Sequence, residues 1–226
     1  MSKKKKVKLL AKSFVTHDVK RFIVEKPEEY RFTPGQATMV AIDKKGLRGE
    51  GRPFTFTSLN KDEVLEFIIK GYYDHEGTTK AMHNLNPGEE LLIGNPWGAI
   101  NYDGEGVFIA GGAGITPFIA ILRDLKERGE IGNNRLIFSN KKEEDIILQK
   151  ELEDIFSENP DNLILTLTEE KNNRYENELV DKEFLKSRIE DFSQKFYVCG
   201  PPKMVENIVG YLKELGADPS GITLEE

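Results

Sequence analysis

The sequence is poor in sulfur, because Cys199 is the one cysteine among its 226 residues. Disulfide frameworks, cysteine zinc sites and cysteine-ligated iron-sulfur clusters each need at least two sulfurs, so none of them can form within this chain. A lone thiol fits a reducing compartment. Apolar runs are also short, well below the roughly 18 residues of a membrane-spanning helix, and the lysines at 3–6 are not followed by a signal-peptide core. These absences predict a cytoplasmic protein without stable membrane insertion.

Positive charge is scarce as well, with 32 Lys and Arg against 39 Asp and Glu and a net charge of -7. Proteins bind nucleic acid through Lys and Arg that release counterions from phosphates, so this balance argues against a nucleic-acid partner. The three histidines, His17, His75 and His83, show neither metal-ligand nor triad spacing. We therefore expect no metal site and no nucleophilic catalysis through Cys199.

The first hundred residues contain short apolar runs separated by turn residues, a rhythm typical of strands. The predicted strands are 7–15, 19–25, 37–42, 53–58, 64–70 and 91–93, with one helix over 78–84 that Thr78 can cap. Six closely spaced strands predict a small antiparallel β-barrel over residues 1–100.

The pattern changes after the turn-forming stretch 101–106, where strands begin to alternate with amphipathic helices. The predicted strands are 107–110, 135–138, 163–168, 196–199 and 222–224, and the helices begin behind Pro117, near 148–155, over 180–192 and over 204–212. Such alternation predicts right-handed crossovers and a five-stranded parallel sheet that binds ligands at the carboxyl ends of its strands. Residues 101–226 are therefore predicted to form an α/β domain.

Three segments have residue patterns that are typical of ligand-binding sites. In the first, a predicted strand runs into Gly111, Gly112 and Gly114 and then into a helix that starts near Thr116 and Pro117. Glycines let the backbone approach a phosphate, and a helix start offers unpaired N–H groups. The spacing is not G-x-G-x-x-G, so the segment fits either a phosphate site or a tight strand-to-helix turn.

The second segment, Cys199-Gly200-Pro201-Pro202, ends another predicted strand at the same edge of the sheet. A cysteine at a strand end is more often a small buried hydrophobe than a functional thiol. The third segment runs from Arg52 to Ser58, and strand alternation places Arg52, Phe54, Phe56 and Ser58 on one face. An arginine for phosphate and an aromatic for a planar ring would suit a flavin, although an amphipathic strand with a surface arginine is the alternative.

Taken in order, these segments resemble the ferredoxin reductase family of flavoproteins, which includes ferredoxin and flavodoxin NAD(P)H reductases. Residues 52–55 with Ser58 are similar to its flavin strand, 111–117 to its nicotinamide-nucleotide loop, and 199–202 to its C-terminal signature. Residues 77–79 are similar to the helix start at which the family binds flavin phosphate. The resemblance covers nearly the whole chain.

The resemblance implies bound FAD, with FMN less expected, and NADPH or NADH as donor. Arg52 would neutralise a flavin phosphate, Phe54 would pack on the isoalloxazine, and Thr55 would bond near the flavin N5. Cys199 would lie beside the nicotinamide carbon that gives up hydride, so Thr55 and Cys199 are the implied catalytic residues. The implied cofactor-binding residues are Arg52, Pro53, Phe54, Thr55, Ser58, Gly77, Thr78, Thr79, Gly111, Gly112, Gly114, Thr116, Pro117, Cys199, Gly200 and Pro201.

The implied function is an FAD-dependent oxidoreductase that takes hydride from NAD(P)H and passes electrons to an external carrier such as ferredoxin, flavodoxin, an oxygenase component or a haem protein. Lys44, Lys45 and Arg48 form a hypothetical basic rim for that carrier, or else an ordinary solvated loop. Lys141 or Lys142 would favour NADPH if either bound a 2′-phosphate. The alternatives are a flavin reductase with dissociable flavin, an electron-transfer subunit and a non-catalytic nucleotide sensor.

Overall fold

The computed structural model describes residues 4–73, 77–98 and 100–224, so His75 lies outside the described residues. The first half contains β1 (Lys5–Phe14), β2 (Val19–Glu25), β3 (Ala37–Ile42), β4 (Arg52–Thr55), β5 (Val64–Lys70), α1 (Thr78–His83) and β6 (Glu90–Ile93). Its strands pair antiparallel in the order β4-β3-β6-β1-β2-β5. The sheet nearly closes on itself, because the Thr57 amide donates to the Glu66 carbonyl oxygen at 2.9 Å. The predicted antiparallel barrel is confirmed.

The strand β4 is shorter than predicted, ending at Thr55 rather than at residue 58. Phe56 is fully buried and stacks on Phe32 with ring centroids 4.2 Å apart inside the barrel. Thr57 and Ser58 are buried too. The expected alternation of faces beyond Thr55 was therefore wrong, because the chain turns inward at the barrel's open seam and buries the five consecutive residues 55–59 there.

The second half contains β7 (Gly106–Gly111), α2 (Thr116–Arg128), β8 (Arg135–Asn140), α3 (Gln149–Ile155), β9 (Leu163–Leu167), α4 (Lys182–Arg188), β10 (Lys195–Cys199), α5 (Pro202–Glu214) and β11 (Ile222–Leu224). All five strands are parallel, in the order β11-β10-β7-β8-β9. This confirms the predicted five-stranded parallel sheet. Because β7 and β10 are neighbours, with Ala110 opposite Cys199, the two turn segments that end these strands lie side by side.

Two predicted helices have different bounds. Asp181 caps α4 by accepting from the Phe184 amide at 2.9 Å, and the extended backbone of Ile189 ends it, so the prediction of 180–192 was too long. In α1, Thr78 is the first helical residue rather than the cap. Its hydroxyl donates instead to the Glu50 carbonyl oxygen at 2.7 Å.

The segment that joins the two halves is fastened to the second. Ile100 is buried in a core shared with Phe108 and Ile121. Tyr102 stacks on Phe108 and on Tyr197. The Tyr197 hydroxyl accepts from the Asp103 amide at 2.9 Å and donates to the Gly104 carbonyl oxygen at 2.8 Å. We keep residue 100 as the proposed domain boundary, although the side chain of Ile100 packs with the second domain.

Among the helices of the described residues, none is both long and apolar enough to cross a membrane.

Candidate active site

A cleft of about 840 Å³ opens at the carboxyl ends of β7 and β8, between the two halves of the molecule. From the barrel it is lined by His17, Asp18, Val19, Lys70 and Tyr72. From the second domain it is lined by residues that include Gly111, Gly112, Asn140, Lys141, Pro201, Met204 and Tyr211. The crevice therefore lies where strand topology predicts a ligand site in an open parallel sheet.

The three glycines at the end of β7 and in the turn that follows it have different environments. A Cβ added at Gly114 would lie 2.5 Å from the Cys199 carbonyl oxygen, and one at Gly111 would lie 2.3 Å from the Met204 Sδ. These two glycines let the ends of β7 and β10 pack together. Gly112 has a φ of +51° and nothing within 4 Å of its Cβ position, so it leaves open space beside the cleft. A phosphate would therefore approach the backbone most easily at Gly112.

The turn between β7 and α2 is a short 3₁₀ helix over Gly112–Ile115, which the sequence did not predict. The Thr116 hydroxyl donates to the Ala113 carbonyl oxygen at 3.0 Å and so closes this turn. Pro117 occupies the first turn of α2 and is buried. Because the Thr116 hydroxyl proton is used within the turn, a phosphate bound here would depend on backbone amides more than on this hydroxyl.

The Cys199 segment lies directly against this turn. Cys199 is 5% exposed, and a Cβ at Gly200 would lie 3.2 Å from the Gly111 backbone nitrogen. Pro201 is exposed and lines the cleft. The structure thus brings together the two turn segments that sequence motifs pointed to.

The proposed flavin residues form a second group, on the barrel. Arg52 and Pro53 are exposed on β4, Phe54 is half-buried, and Thr55 is buried. The Thr78 hydroxyl bond to Glu50 holds the start of α1 beside the residues that precede Arg52. Gly77 is exposed, with open space around its Cβ position. An exposed guanidinium and an open glycine at a helix start, on two segments joined by this hydrogen bond, are a combination that fits a flavin diphosphate.

Ser58 differs from the other predicted residues because its hydroxyl forms a hydrogen bond inside the barrel. It is 3% exposed and accepts from the Glu66 amide at 3.0 Å. The same buried region holds Arg123, which no sequence motif indicated. Burial lowers the pKa of the Arg123 guanidinium, but its hydrogen bonds to Glu151 and the charge of Glu66 raise that pKa overall, so Arg123 stays charged.

Asn140, at the end of β8, is a second residue that the motifs missed. Its side chain is 5% exposed beside the cleft, and both its amide nitrogen and its amide oxygen are buried without a hydrogen-bond partner. Buried polar groups are normally paired, so an orphaned amide in this position fits a cleft that closes around a polar ligand. Only its place after a strand could have indicated it.

Ion pairs engage both lysines that we considered for a 2′-phosphate. Lys141 Nζ lies 2.8 Å from Glu169 Oε1, and this hydrogen bond raises the pKa of Lys141. Lys142 Nζ lies 3.7 Å from Glu144 Oε1. A phosphate at this rim would therefore have to compete with carboxylates for each lysine.

Comparison with known proteins agrees with this geometry. A family model described as an oxidoreductase FAD-binding domain matches residues 6–102, and one described as an oxidoreductase NAD-binding domain matches residues 108–209. NADH-cytochrome b5 reductase 2 of Meyerozyma guilliermondii is 30% identical over 214 residues, which cover 87% of this chain and 71% of that protein. The chain belongs to the ferredoxin reductase family.

Two further relatives show the extent of the likeness. NADH-cytochrome b5 reductase 2-A of Vanderwaltozyma polyspora is 29% identical over 230 residues, covering 89% of this chain and 77% of that one. The crystal structure of a ferredoxin NADP+ reductase from Neisseria gonorrhoeae with bound FAD and NADP has a TM-score of 0.83 at 22% identity, covering 100% of this chain and 99% of that one. Membership of the ferredoxin reductase family makes the protein an NAD(P)H-dependent oxidoreductase that uses FAD.

Proposed function

We propose that this family member is an NADH-dependent reductase that passes single electrons to a haem carrier of the cytochrome b5 kind. The observation that carries the proposal is the cleft between the FAD-binding barrel and the nucleotide domain, with its glycine turn, its orphaned amide and its carboxylate-paired rim. Overall, NADH loses one hydride, two carriers gain one electron each, and one proton is released.

The rim of the cleft favours NADH as donor. A 2′-phosphate binds best to lysine or arginine groups that are free of carboxylate partners. Here Lys141 is held by Glu169 and Lys142 lies close to Glu144. The same carboxylates are suited to accept hydrogen bonds from ribose hydroxyls, which NADH presents. The names of the yeast relatives, NADH-cytochrome b5 reductases, support the same choice.

When bound, FAD supplies the hydride acceptance and the release of single electrons that no side chain of this protein provides. The chain's own residues bind and orient. Arg52 is proposed to neutralise a flavin phosphate, and the backbone at Gly77, Thr78 and Thr79 is proposed to hold the diphosphate. Phe54 offers a half-buried ring to the flavin, and Thr55 is the proposed hydrogen-bonding partner near its N5.

On the nucleotide side, the turn at Gly112 is proposed to take the diphosphate of NADH. Cys199 lies at the end of β10 beside this turn, and it is proposed to lie next to the nicotinamide ring of bound NADH. Because strong acid and base groups are not required, the protein contributes mainly by holding donor and acceptor in contact, which can be worth several kcal/mol of a reaction barrier.

The haem carrier is proposed from the names of the relatives, and the surface charges refine how it would dock. Of the suggested basic rim, Lys44 pairs with Glu89 and Arg48 pairs with Asp43. Among the described residues, Lys45 has no ion pair with any of these carboxylates. The rim is thus largely neutralised within the protein, so we expect reduction of an acidic carrier to depend only weakly on salt concentration.

The first experiment is an anaerobic titration of the purified protein with NADH and, on a fresh sample, with NADPH, while the visible flavin absorption is followed. We expect bound flavin that bleaches at a lower concentration of NADH than of NADPH. A colourless protein that reduces added flavin would favour the dissociable-flavin reductase, and a yellow protein that neither nucleotide bleaches would favour the sensor. Reduction of cytochrome b5, ferredoxin and flavodoxin by the same preparation then ranks the carriers.

The choice of donor is tested by Glu169→Gln, which releases Lys141 from its carboxylate partner. We expect kcat/KM for NADPH to rise about tenfold, because Lys141 becomes available to a 2′-phosphate, and kcat/KM for NADH to fall, because its ribose hydroxyls lose a charged acceptor. The matched control is Glu144→Gln, since Glu144 lies farther from its lysine. An unchanged preference in Glu169→Gln would contradict the role given to the Lys141–Glu169 pair.

A further inference from the structure

Arg123 forms a partly buried bridge between the two domains. It lies on α2, yet its Nη1 donates to the Thr57 carbonyl oxygen at 2.6 Å and lies 2.7 Å from Glu66 Oε1, both in the barrel. Its Nε and Nη2 hold the two carboxylate oxygens of Glu151 at 2.5 and 3.1 Å. The side chain is 19% exposed, so the bridge is shielded far more than an ordinary surface ion pair.

The barrel end of this bridge is attached to the segment that follows the flavin strand. Glu66 Oε1 accepts from the Thr57 hydroxyl at 2.8 Å, and the Glu66 amide donates to the Ser58 hydroxyl at 3.0 Å. Thr57 is two residues from Thr55, the last residue of β4. A shift of Glu66 or Thr57 would therefore be passed along one short stretch of backbone to the proposed flavin-contacting residues.

The other end of the bridge is attached to the nucleotide turn. Arg123 lies two helical turns into α2, which begins at Thr116 directly after the 3₁₀ turn that contains Gly112. A well-packed helix moves as a rigid unit, and Ile115, Phe118 and Leu122 are fully buried around its start. Arg123 thus links the segment after the flavin strand to the segment after the nucleotide turn.

The four charged side chains at this bridge, which are Arg21, Arg123, Glu66 and Glu151, have a net charge of zero. Arg21 Nε lies 3.2 Å from Glu66 Oε2, so two arginines face the carboxylates of Glu66 and Glu151. A buried network of this kind gains little net stability, because desolvation offsets much of the attraction. Its larger expected effect is on geometry, because it holds side chains of both domains in one arrangement.

We propose that Arg123 is a positioning residue for hydride transfer, which fixes the separation of the barrel's flavin strand and the nucleotide turn through Thr57, Glu66 and α2. The proposal rests on the hydride-transfer activity of the family and not on the choice of NADH or of the carrier. Reaction rates respond steeply to such a separation, since a misplacement of about 1 Å can cost roughly 100-fold.

The test compares Arg123→Met with Arg128→Met, a matched change of an exposed arginine that pairs with Asp124 on the same helix. Rapid mixing of the full, FAD-loaded protein with NADH gives the limiting rate of flavin reduction and the Kd for NADH separately. For Arg123→Met we expect the limiting rate to fall roughly 10- to 100-fold, with the Kd values for NADH and FAD within about twofold of the parent. Arg128→Met should leave all three unchanged.

A readout that needs no cofactor is amide hydrogen exchange of the apoprotein. We expect Arg123→Met to lose protection in two separate segments, around Thr57 and around the start of α2, whereas Arg128→Met loses it in neither. Arg123→Lys keeps the charge but not the fork that reaches Thr57 and Glu151 together. We expect that variant to fold like the parent and to show an intermediate reduction rate.

The double variant Arg123→Met/Glu66→Gln separates positioning from stability. The amide oxygen of the introduced glutamine can still accept from the Thr57 hydroxyl. The double change removes one positive and one negative charge together, so the charges of Arg21 and Glu151 that remain still balance. Recovery of thermal stability with a reduction rate that stays low would support the proposal. Recovery of both would overturn it, as would an Arg123→Met protein whose only defect is a lower Tm, or an Arg123→Lys protein with an unchanged rate.

Discussion

The two proposed binding faces of the molecule, one for the nicotinamide nucleotide and one for the flavin, are built in different ways. On the nucleotide side, the turn after β7 and the end of β10 are packed backbone against backbone, with Gly111 and Cys199 buried. On the flavin side, Arg52, Pro53 and Gly77 are exposed on a short strand and a loop. One face is fixed by the interior of its domain before any ligand binds, whereas the other presents side chains at the surface. Substitutions on the two faces should therefore fail for different reasons.

The largest effect is expected from Gly114→Ala. The new methyl group would lie 2.5 Å from the Cys199 carbonyl oxygen and 2.6 Å from the Gly200 Cα, where backbone cannot move aside. We expect a loss of about 3 kcal/mol in the free energy of unfolding, measured by urea denaturation. Gly112→Ala is the control, since its methyl group has open space and costs only about 1 kcal/mol for the left-handed backbone. Equal losses of stability in Gly114→Ala and Gly112→Ala would contradict the packing role given to Gly114.

Arg52→Ala should weaken the binding of FAD and leave the stability of the protein almost unchanged. Because Arg52 is exposed, we expect the apoprotein's stability to change by no more than about 0.5 kcal/mol. Affinity for FAD should fall by about 2 kcal/mol, the value of a hydrogen bond to a charged group, as measured by fluorescence titration of the apoprotein. Arg48→Ala, on the loop that precedes β4 and paired with Asp43, should retain FAD. An Arg52→Ala protein that keeps its FAD would remove Arg52 from the site.

Cys199→Ala tests whether the packed face also acts chemically. We expect bound FAD to be retained and the limiting rate of flavin reduction to fall about tenfold, which corresponds to about 1.4 kcal/mol in the barrier. The loss of stability should be small, because only one sulfur atom is removed. If Cys199→Ala reduces its flavin at the parent rate, the thiol is a packing group and nothing more.

The smallest expected effect is a dependence of the barrel's stability on pH. Burial lowers the pKa of His83, whose Nδ1 lies 2.7 Å from the Tyr73 hydroxyl and whose Nε2 lies 2.8 Å from the Ile69 carbonyl oxygen. The native state therefore holds His83 neutral, and unfolding takes up a proton as the pH falls below the ordinary value of 6.5. We expect barrel stability, followed by fluorescence of Trp97, to decline from about pH 7 to about pH 5.5. His83→Gln should flatten this decline, and a decline that persists in that variant would contradict the role given to His83.

Sequence patterns predicted the regular parts of this fold well. The strands β2, β3, β5 and β11 have the predicted bounds, because their apolar runs are cleanly delimited by turn residues. The prediction failed where burial stops following strand alternation, as at Phe56 and Ser58, and where a side chain inside the predicted helix acts as its cap, as Asp181 does in α4.

The candidate site was predictable only where a local motif marks it. The glycine turn and the Cys199 segment each have turn chemistry, and parallel-sheet topology brings them to one edge. The contact between Arg123 and Glu66 joins residues that are distant in sequence, and the exposed pairing of Lys141 with Glu169 depends on which loops meet. Neither leaves a local pattern, so both required the folded structure.

The anchoring of the interdomain segment has a consequence for recombining this protein with its relatives. Ile100 lies in a core that joins residues of the nucleotide domain to Val19 and Ile68 of the barrel. The Tyr197 hydroxyl bonds to the backbone at Asp103 and Gly104, so this part of the connecting peptide is tied to the nucleotide domain. A chimera spliced after residue 104 would pair a foreign connector with Tyr197, whereas one spliced ahead of Ile100 would move the nucleotide domain together with the segment that packs on it.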